Sequence, residues 1–182
     1  MSIKYPLNSI STIANRKVFF DANVLIYIFW PSGAYHWERF YSSAFGNLLR
    51  QHNELVVDFI VISEIVNRAH RLEYDKHLAA NGLTRSAFTY KQYRNSADGQ
   101  AALADIYLIV ETNILSKFTV VGKGFSKAEI QSFLPVEPID FPDKAIVLTC
   151  KENACILLTN DADYCTADID LLSSNPAILN YV

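Results

Sequence analysis

The sequence predicts an α/β fold in which a mostly parallel sheet is covered by helices on both faces. Short apolar, β-prone runs recur along the chain, and stretches of helical period separate them. Strands that alternate with helices imply βα units. The length of 182 residues, about half of them apolar with few Gly or Pro, suits one compact domain over 1–182 that buries its own core.

Lys17 to Asp21 (KVFFD) reads as a buried strand that hands over to a helix at Asp21, where Leu25, Ile28 and Phe29 take up helical spacing. A helix over His36 to Gln51 precedes a strand within Leu55 to Ile62 (LVVDFIVI). Ser63 is then expected to cap a long helix, SEIVNRAHRLEYDKHL, with Ile65, Ala69 and Leu72 on one stripe. The polar, basic and aromatic segment Ala80 to Asn95 extends or caps that helix, and Gly99 to Lys117 forms another. The stretch from Ala80 to Lys117 is thus a helical elaboration. Phe118 to Val121 is a strand, and Ser126 to Leu134 is a helix with Glu129 at the capping-box position. After Pro135, Pro138 and Pro142, Asp143 opens a helix to Asn153. Cys155 to Leu158 (CILL) is a strand ending at Thr159-Asn160-Asp161, and a last strand is expected near Ala177 to Leu179.

Three cysteines without a CxxC pair argue against a disulfide framework and for a reduced, cytoplasmic protein. The first residues lack the apolar core of a signal peptide, and the strongest apolar run, Val18 to Trp30, is interrupted by Asp21 and Asn23; no membrane span is expected. His36, His52, His70 and His77 have no zinc-ligand spacing and read as surface or helix-end residues. Gly122-Lys123-Gly124 lacks the P-loop pattern.

The net charge of −3 is unevenly spread. Arg68, Arg71, Lys76, Arg85, Lys91 and Arg94 concentrate between Glu64 and Asn95, whereas acids dominate from Asp98 onward. An acidic site beside a basic arm would bind metal at one place and phosphate at another; a solvated helix face is the ordinary alternative. Tyr74, Phe88, Tyr90 and Tyr93 interleave with the arm, either to stack on unpaired bases or to pack as core.

Four acids hold equivalent places: Asp21 and Glu64 after strands, Asp143 opening a helix, and Asp161 after CILL. Singly, each has a plain explanation as helix cap, helix-dipole partner or turn residue. Together they would line the carboxyl edge of an open parallel sheet, where ligands bind. Clustered carboxylates cannot all ionise unless a cation neutralises them, and an oxygen-only set selects Mg²⁺ or Mn²⁺ over Zn²⁺. Asp163 is a fifth candidate or a turn residue. Asn23, Ser63, Thr159 and Asn160 are neutral hydrogen-bonding neighbours suited to orienting ligands. Arg68, Arg71 and Lys144 are candidate contacts to substrate phosphate.

The phrases FFDANVLIY, VISEIVNR and DKAIVLTCKENACILLTNDADY resemble the PIN-domain family, which includes VapC-type toxins of bacterial toxin-antitoxin modules. The last phrase is the specific one: a helix-opening Asp, a short apolar strand, then T-N-D-x-D and an aromatic. The resemblance implies a three-layer α/β/α sandwich, with Asp21, Glu64, Asp143 and Asp161 as metal-binding acids, Asp163 auxiliary and Thr159 the hydroxyl beside them. It implies Mg²⁺- or Mn²⁺-dependent cleavage of RNA, commonly endonucleolytic, by metal-activated water that leaves 5′-phosphate and 3′-hydroxyl ends. It also implies a small antitoxin partner and a homodimer. The extra material around Ala80 to Lys117 departs from the compact toxin form. Two rivals stand beside the ribonuclease: a non-catalytic PIN-like module binding RNA or protein, and a metal-dependent phosphatase of small esters.

Overall fold

The computed structural model describes residues 2–31 and 35–181. Among them, six parallel strands form one sheet in the order β1 (Lys4–Pro6), β6 (Leu171–Ser173), β5 (Ile156–Leu158), β2 (Lys17–Phe20), β3 (Glu54–Asp58) and β4 (Thr119–Val121). Consecutive residues of the central strands are all buried: Val18, Phe19 and Phe20, then Leu55, Val56 and Val57, then Ile156, Leu157 and Leu158. Neighbouring side chains on a strand point to opposite faces, so both faces are covered. This is the α/β/α arrangement expected from the alternation of runs.

The helices are α1 (Ala22–Phe29), α2 (Tyr35–Arg50), α3 (Phe59–Asn81), α4 (Tyr90–Asn95), α5 (Ala97–Ile109), α6 (Lys127–Phe133), α7 (Phe141–Asn153) and α8 (Pro176–Leu179). From β2 the chain moves through β3 to the edge strand β4, then returns to β5 on the other side of β2. The sheet therefore reverses its direction of growth between β2 and β5. At such a switch point a crevice opens outside the carboxyl ends of the two strands.

Several boundaries differ from the sequence expectation for local physical reasons. β3 ends at Asp58 and α3 begins at Phe59, so Ser63 does not cap the helix. Asp58 does, by accepting from the Val61 amide at 2.9 Å. The run FIVI continues the strand's apolar character, and periodicity alone cannot separate a buried strand from a buried helix start. α7 begins at Phe141 after Asp140, which puts Asp143 in its first turn rather than at its cap. The expected strand at Ala177–Leu179 is the helical turn α8; the strand is Leu171–Ser173. β1, ending in a proline, is a further strand too short to carry a period.

The 80–117 region is broken into pieces. α3 stops where Gly82 takes a left-handed conformation at φ 61°, and α4 opens on a Thr89/Gln92 capping box. α5 runs on into a π-helical turn over Val110–Leu115. Tyr74, Leu78 and Tyr93 are buried together, with Phe88 and Tyr90 packed against them, as a second small core between α3 and α4. The aromatics of the arm are thus packing residues. His70, expected at a surface, is buried here. Its Nε2 lies 2.9 Å from the Gly99 carbonyl and its Nδ1 2.8 Å from the Tyr90 hydroxyl. The carbonyl only accepts, so Nε2 is the donor to it.

Glycine is required at position 99 by the close approach of the Tyr93 carbonyl, whose oxygen would stand 1.9 Å from a Cβ there. Gly99→Ala should lower the unfolding free energy by about 2 kcal/mol in urea titration. Gly124→Ala, with open space around it, should change it by less than about 0.5 kcal/mol.

Candidate active site

The crevice at the β2–β5 switch point is built around Asp21. The Asp21 amide extends the sheet by donating to the Leu158 carbonyl at 3.0 Å. Its buried carboxylate accepts from the Ala22 amide at 2.7 Å, the Asn23 side-chain amide at 2.7 Å and the Thr159 hydroxyl at 2.6 Å. Asp21 is therefore both the cap of α1 and one member of the crevice. Thr159 in turn accepts from the Asp161 amide at 3.0 Å, and Asn23 accepts from the Asn160 amide at 3.3 Å. The turn after β5 is thereby locked to the turn after β2.

Asp143 reaches the same place from α7, and its carboxylate accepts from the Tyr164 hydroxyl at 2.7 Å. Burial pushes the Asp21 carboxyl up to about 7, with the charges of Asp143 and Glu64 adding to the shift and the bonds from Thr159 and Ala22 opposing it. Burial likewise raises Asp143 to about 6, against the Tyr164 bond, and Asp161 and Glu64 push in the same direction. Burial also raises the Tyr164 phenol, and the neighbouring Asp21 and Asp143 raise it further, so it stays protonated and donates. Asp21, Glu64, Asp143 and Asp161 thus come from four separate segments into one electrostatic neighbourhood.

The other expected residues fall into different positions. Glu64 lies within α3, partly exposed, and pairs with Arg68 at 3.0 Å. Ser63 precedes it, its carbonyl accepting from Asn67 at 2.9 Å. Asp163 is exposed, and its amide donates to the Asp161 carboxylate at 3.1 Å. Arg71 stacks its guanidinium 4.5 Å over the Tyr90 ring. Lys144 is turned away from the crevice: its ammonium binds the Phe133 carbonyl at 3.0 Å, the Pro135 carbonyl at 2.6 Å and Glu137 at 2.9 Å. A substrate phosphate would have to compete with all three, so the expected contact from Lys144 is not supported by its geometry.

Sequence reasoning assigned no role to Tyr164, which holds Asp143, although the aromatic after T-N-D-x-D was its signal. It also passed over Asp58, hidden inside an apolar run. Asp58 is buried at the carboxyl end of β3, and that burial raises its carboxyl.

The donor set fits a hard divalent ion, since carboxylates supply it, Cys150 and Cys155 are buried in the core and Cys165 lies in the 3-10 turn Ala162–Thr166. Among the described residues, no group of three acids, histidines or cysteines stands ready to hold one ion. Asp21 is turned to Thr159 and Asn23, and Glu64 to Arg68.

Family comparison matches the PIN domain over residues 18–170. The chain belongs to the PIN domain family. Among solved structures it is similar to FitAcB from Neisseria gonorrhoeae, with a TM-score of 0.51 at 16% identity, over 85% of this chain and 96% of that one. That likeness is one of fold. No curated protein matches the chain. No helix of the described residues is long and apolar enough to cross a membrane. PIN domains are generally nucleases that use divalent metals, which accords with the carboxylates of this crevice.

Because Asp21 and Asp143 titrate above their ordinary 3.8, the metal-free folded chain binds protons more tightly than the unfolded chain. The resulting stabilisation is complete below about pH 4 and is lost as pH rises through about 6 and then 7. The metal-free Tm should fall between pH 5 and pH 8, by about 2–4 °C for each kcal/mol lost. Asp21→Asn should flatten the decline near pH 7. Mn²⁺ should raise Tm at pH 8 and hardly at pH 5, where protons compete for the same oxygens.

Proposed function

We propose that the chain is a Mg²⁺- or Mn²⁺-dependent ribonuclease that hydrolyses RNA phosphodiester bonds endonucleolytically. Asp21, Glu64, Asp143 and Asp161 are its metal-holding acids and Asp163 is an auxiliary. One observation carries this reading: at the switch-point crevice Asp21 is raised by burial and by Asp143 and Glu64, and Asp143 by burial and by Asp161 and Glu64. A protein gains nothing in stability by burying like charges together, and a divalent ion resolves the repulsion. When bound, such an ion acidifies water and neutralises phosphate charge.

The chain's own residues prepare that chemistry. Thr159 and Asn23 orient the Asp21 carboxylate, and Tyr164 orients that of Asp143. Asn160 ties the β5 turn to α1 through Asn23. Glu64, Arg68 and Arg71 lie at i, i+4 and i+7 on α3 and so share one helix face. Arg68 and Arg71 extend from the acids along this face as contacts for successive phosphates of a single strand. Resemblance to VapC-type toxins supports a role as the toxin of a toxin-antitoxin pair, acting as a homodimer, with a small antitoxin covering the acidic crevice.

The alternative is a non-catalytic RNA- or protein-binding module. It is favoured by the complete hydrogen bonding of Asp21 and by the Glu64–Arg68 pair, since neither needs a metal to be satisfied. Cleavage of a labelled, mixed-sequence single-stranded RNA separates the two. Purified protein should cut in Mg²⁺ or Mn²⁺ and not in EDTA, and Asp143→Asn should cut more than about 100-fold more slowly. Expression of the parent should arrest growth, whereas the Asp143→Asn chain should not. RNA binding without metal-dependent cleavage would favour the module, and turnover of a chromogenic phosphomonoester in place of RNA would favour a phosphatase.

Phosphate contact by Arg71 is separately measurable on the Asp143→Asn background. Arg71→Ala should weaken RNA binding for all sequences alike, and should reduce the slope of log K against log salt by about 0.7.

A further inference from the structure

The carboxyl edge of the sheet continues past the acids, since β6 and then β1 end beside β5. Over their ends lies a 370 Å³ cavity whose lining includes Asn8, Trp37, Phe40, Ser43, Ser174 and Leu179. Its lining contains no Asp, Glu, Lys or Arg. His36 stands at its mouth, edge-on to Phe40 at 4.6 Å and to Trp37 at 5.0 Å between ring centres. Phe40 is 45% exposed. The side chains of Asn8 and Ser43 make no hydrogen bond among the described residues, which leaves an amide and a hydroxyl free beside the aromatic surfaces.

The cavity is wired to the acids through a buried wall. Tyr41 stacks on Tyr27 at 5.7 Å and lies against Trp37 at 6.4 Å. Its hydroxyl donates to the Asn160 side-chain oxygen at 2.9 Å and accepts from the Ser174 hydroxyl at 3.2 Å. Asn175, which follows Ser174, donates to the Asn160 carbonyl at 2.7 Å. Asn160 immediately precedes Asp161. From β5 to β1 is two strand spacings, about 10 Å, a distance that a short stretch of single-stranded RNA can bridge.

We infer that this cavity is a base-recognition subsite that takes one unpaired nucleobase of an RNA strand whose phosphate lies at the acids. The inference rests on the ribonuclease reading and adds to it the element that chooses where the strand is cut. The lining offers a phosphate no Lys or Arg, so charge is not what selects its ligand. Aromatic surfaces with a free amide and hydroxyl suit a planar group with a hydrogen-bonding edge, which is how single-stranded RNA bases are recognised. The volume accommodates one such group and not a helix of a partner protein.

Trp37 provides the readout, since the other tryptophan, Trp30, is buried. On the Asp143→Asn background, short single-stranded RNA should quench tryptophan fluorescence, and Phe40→Ala combined with Asn8→Ala should weaken binding about tenfold. On the active background the same pair should erase a base preference at a fixed distance from the cut, with the Mn²⁺-induced rise in Tm retained as proof of an intact fold and acid cluster. RNA that binds without quenching would overturn the inference, as would a pair variant that binds with parental affinity and cuts in the parental pattern. So would a dimer that the pair variant disperses while RNA affinity is unchanged, because the cavity would then be an interface between copies. If the parent cuts no RNA yet quenching occurs and is lost in the variant, the hydrolytic reading falls and the base subsite stands.

Discussion

The bond from the Thr159 hydroxyl to the Asp21 carboxylate joins the two strand ends on either side of the switch point. It is a charge-assisted hydrogen bond in a buried place, where water cannot substitute for it. Around it, Ala22 and Asn23 also donate to Asp21 and so tie the start of α1 to it, while Asp161 hangs from Thr159 by its amide. The acidic crevice is therefore not a loose collection of surface charges. Its central carboxylate is part of the connection between β2 and β5, and displacing it would disturb a helix cap and a sheet edge together.

That rigidity explains the electrostatics. An exposed carboxylate relieves repulsion by turning into solvent, but Asp21 cannot turn, and Asp143 is restrained by Tyr164. Burial first, and the neighbouring acids second, raise the proton affinity of both groups, and either protons or a cation can offset that cost. Glu64 differs from both, being partly exposed and paired with Arg68.

The basic arm is divided in a comparable way. Its aromatics are consumed by the second core on α3, where His70, Tyr90 and Gly99 interlock, and Lys144 is consumed by the loop before α7. Arg68 and Arg71 share the α3 face that carries Glu64, Arg68 paired with that acid and Arg71 lying over the Tyr90 ring. Aromatic surface near the acids is found instead on α2, above the ends of β1 and β6.

The amino-acid sequence alone determined the alternation of strands and helices, the capping box of α6, the parallel covered sheet and the family, because apolar period, turn chemistry and the T-N-D-x-D phrase are local signals. Asp21, Asp143 and Asp161 were legible as candidates for the same reason, each standing beside a strand end or a helix start, whereas Glu64 was singled out on a strand end that lies six residues earlier, at Asp58. The start of α3 was not legible, since FIVI is equally apolar as strand or helix, and neither were the three-residue strands β1 and β6, which owe their pairing to neighbours distant in the chain. Only the tertiary structure decided which acids are buried, that Tyr164 restrains Asp143, that Lys144 faces away, and that Tyr41 joins the crevice to an aromatic cavity. These depend on desolvation and on side-chain contacts between separate elements, from Tyr164 with Asp143 to Thr159 with Asp21, and no local pattern encodes either.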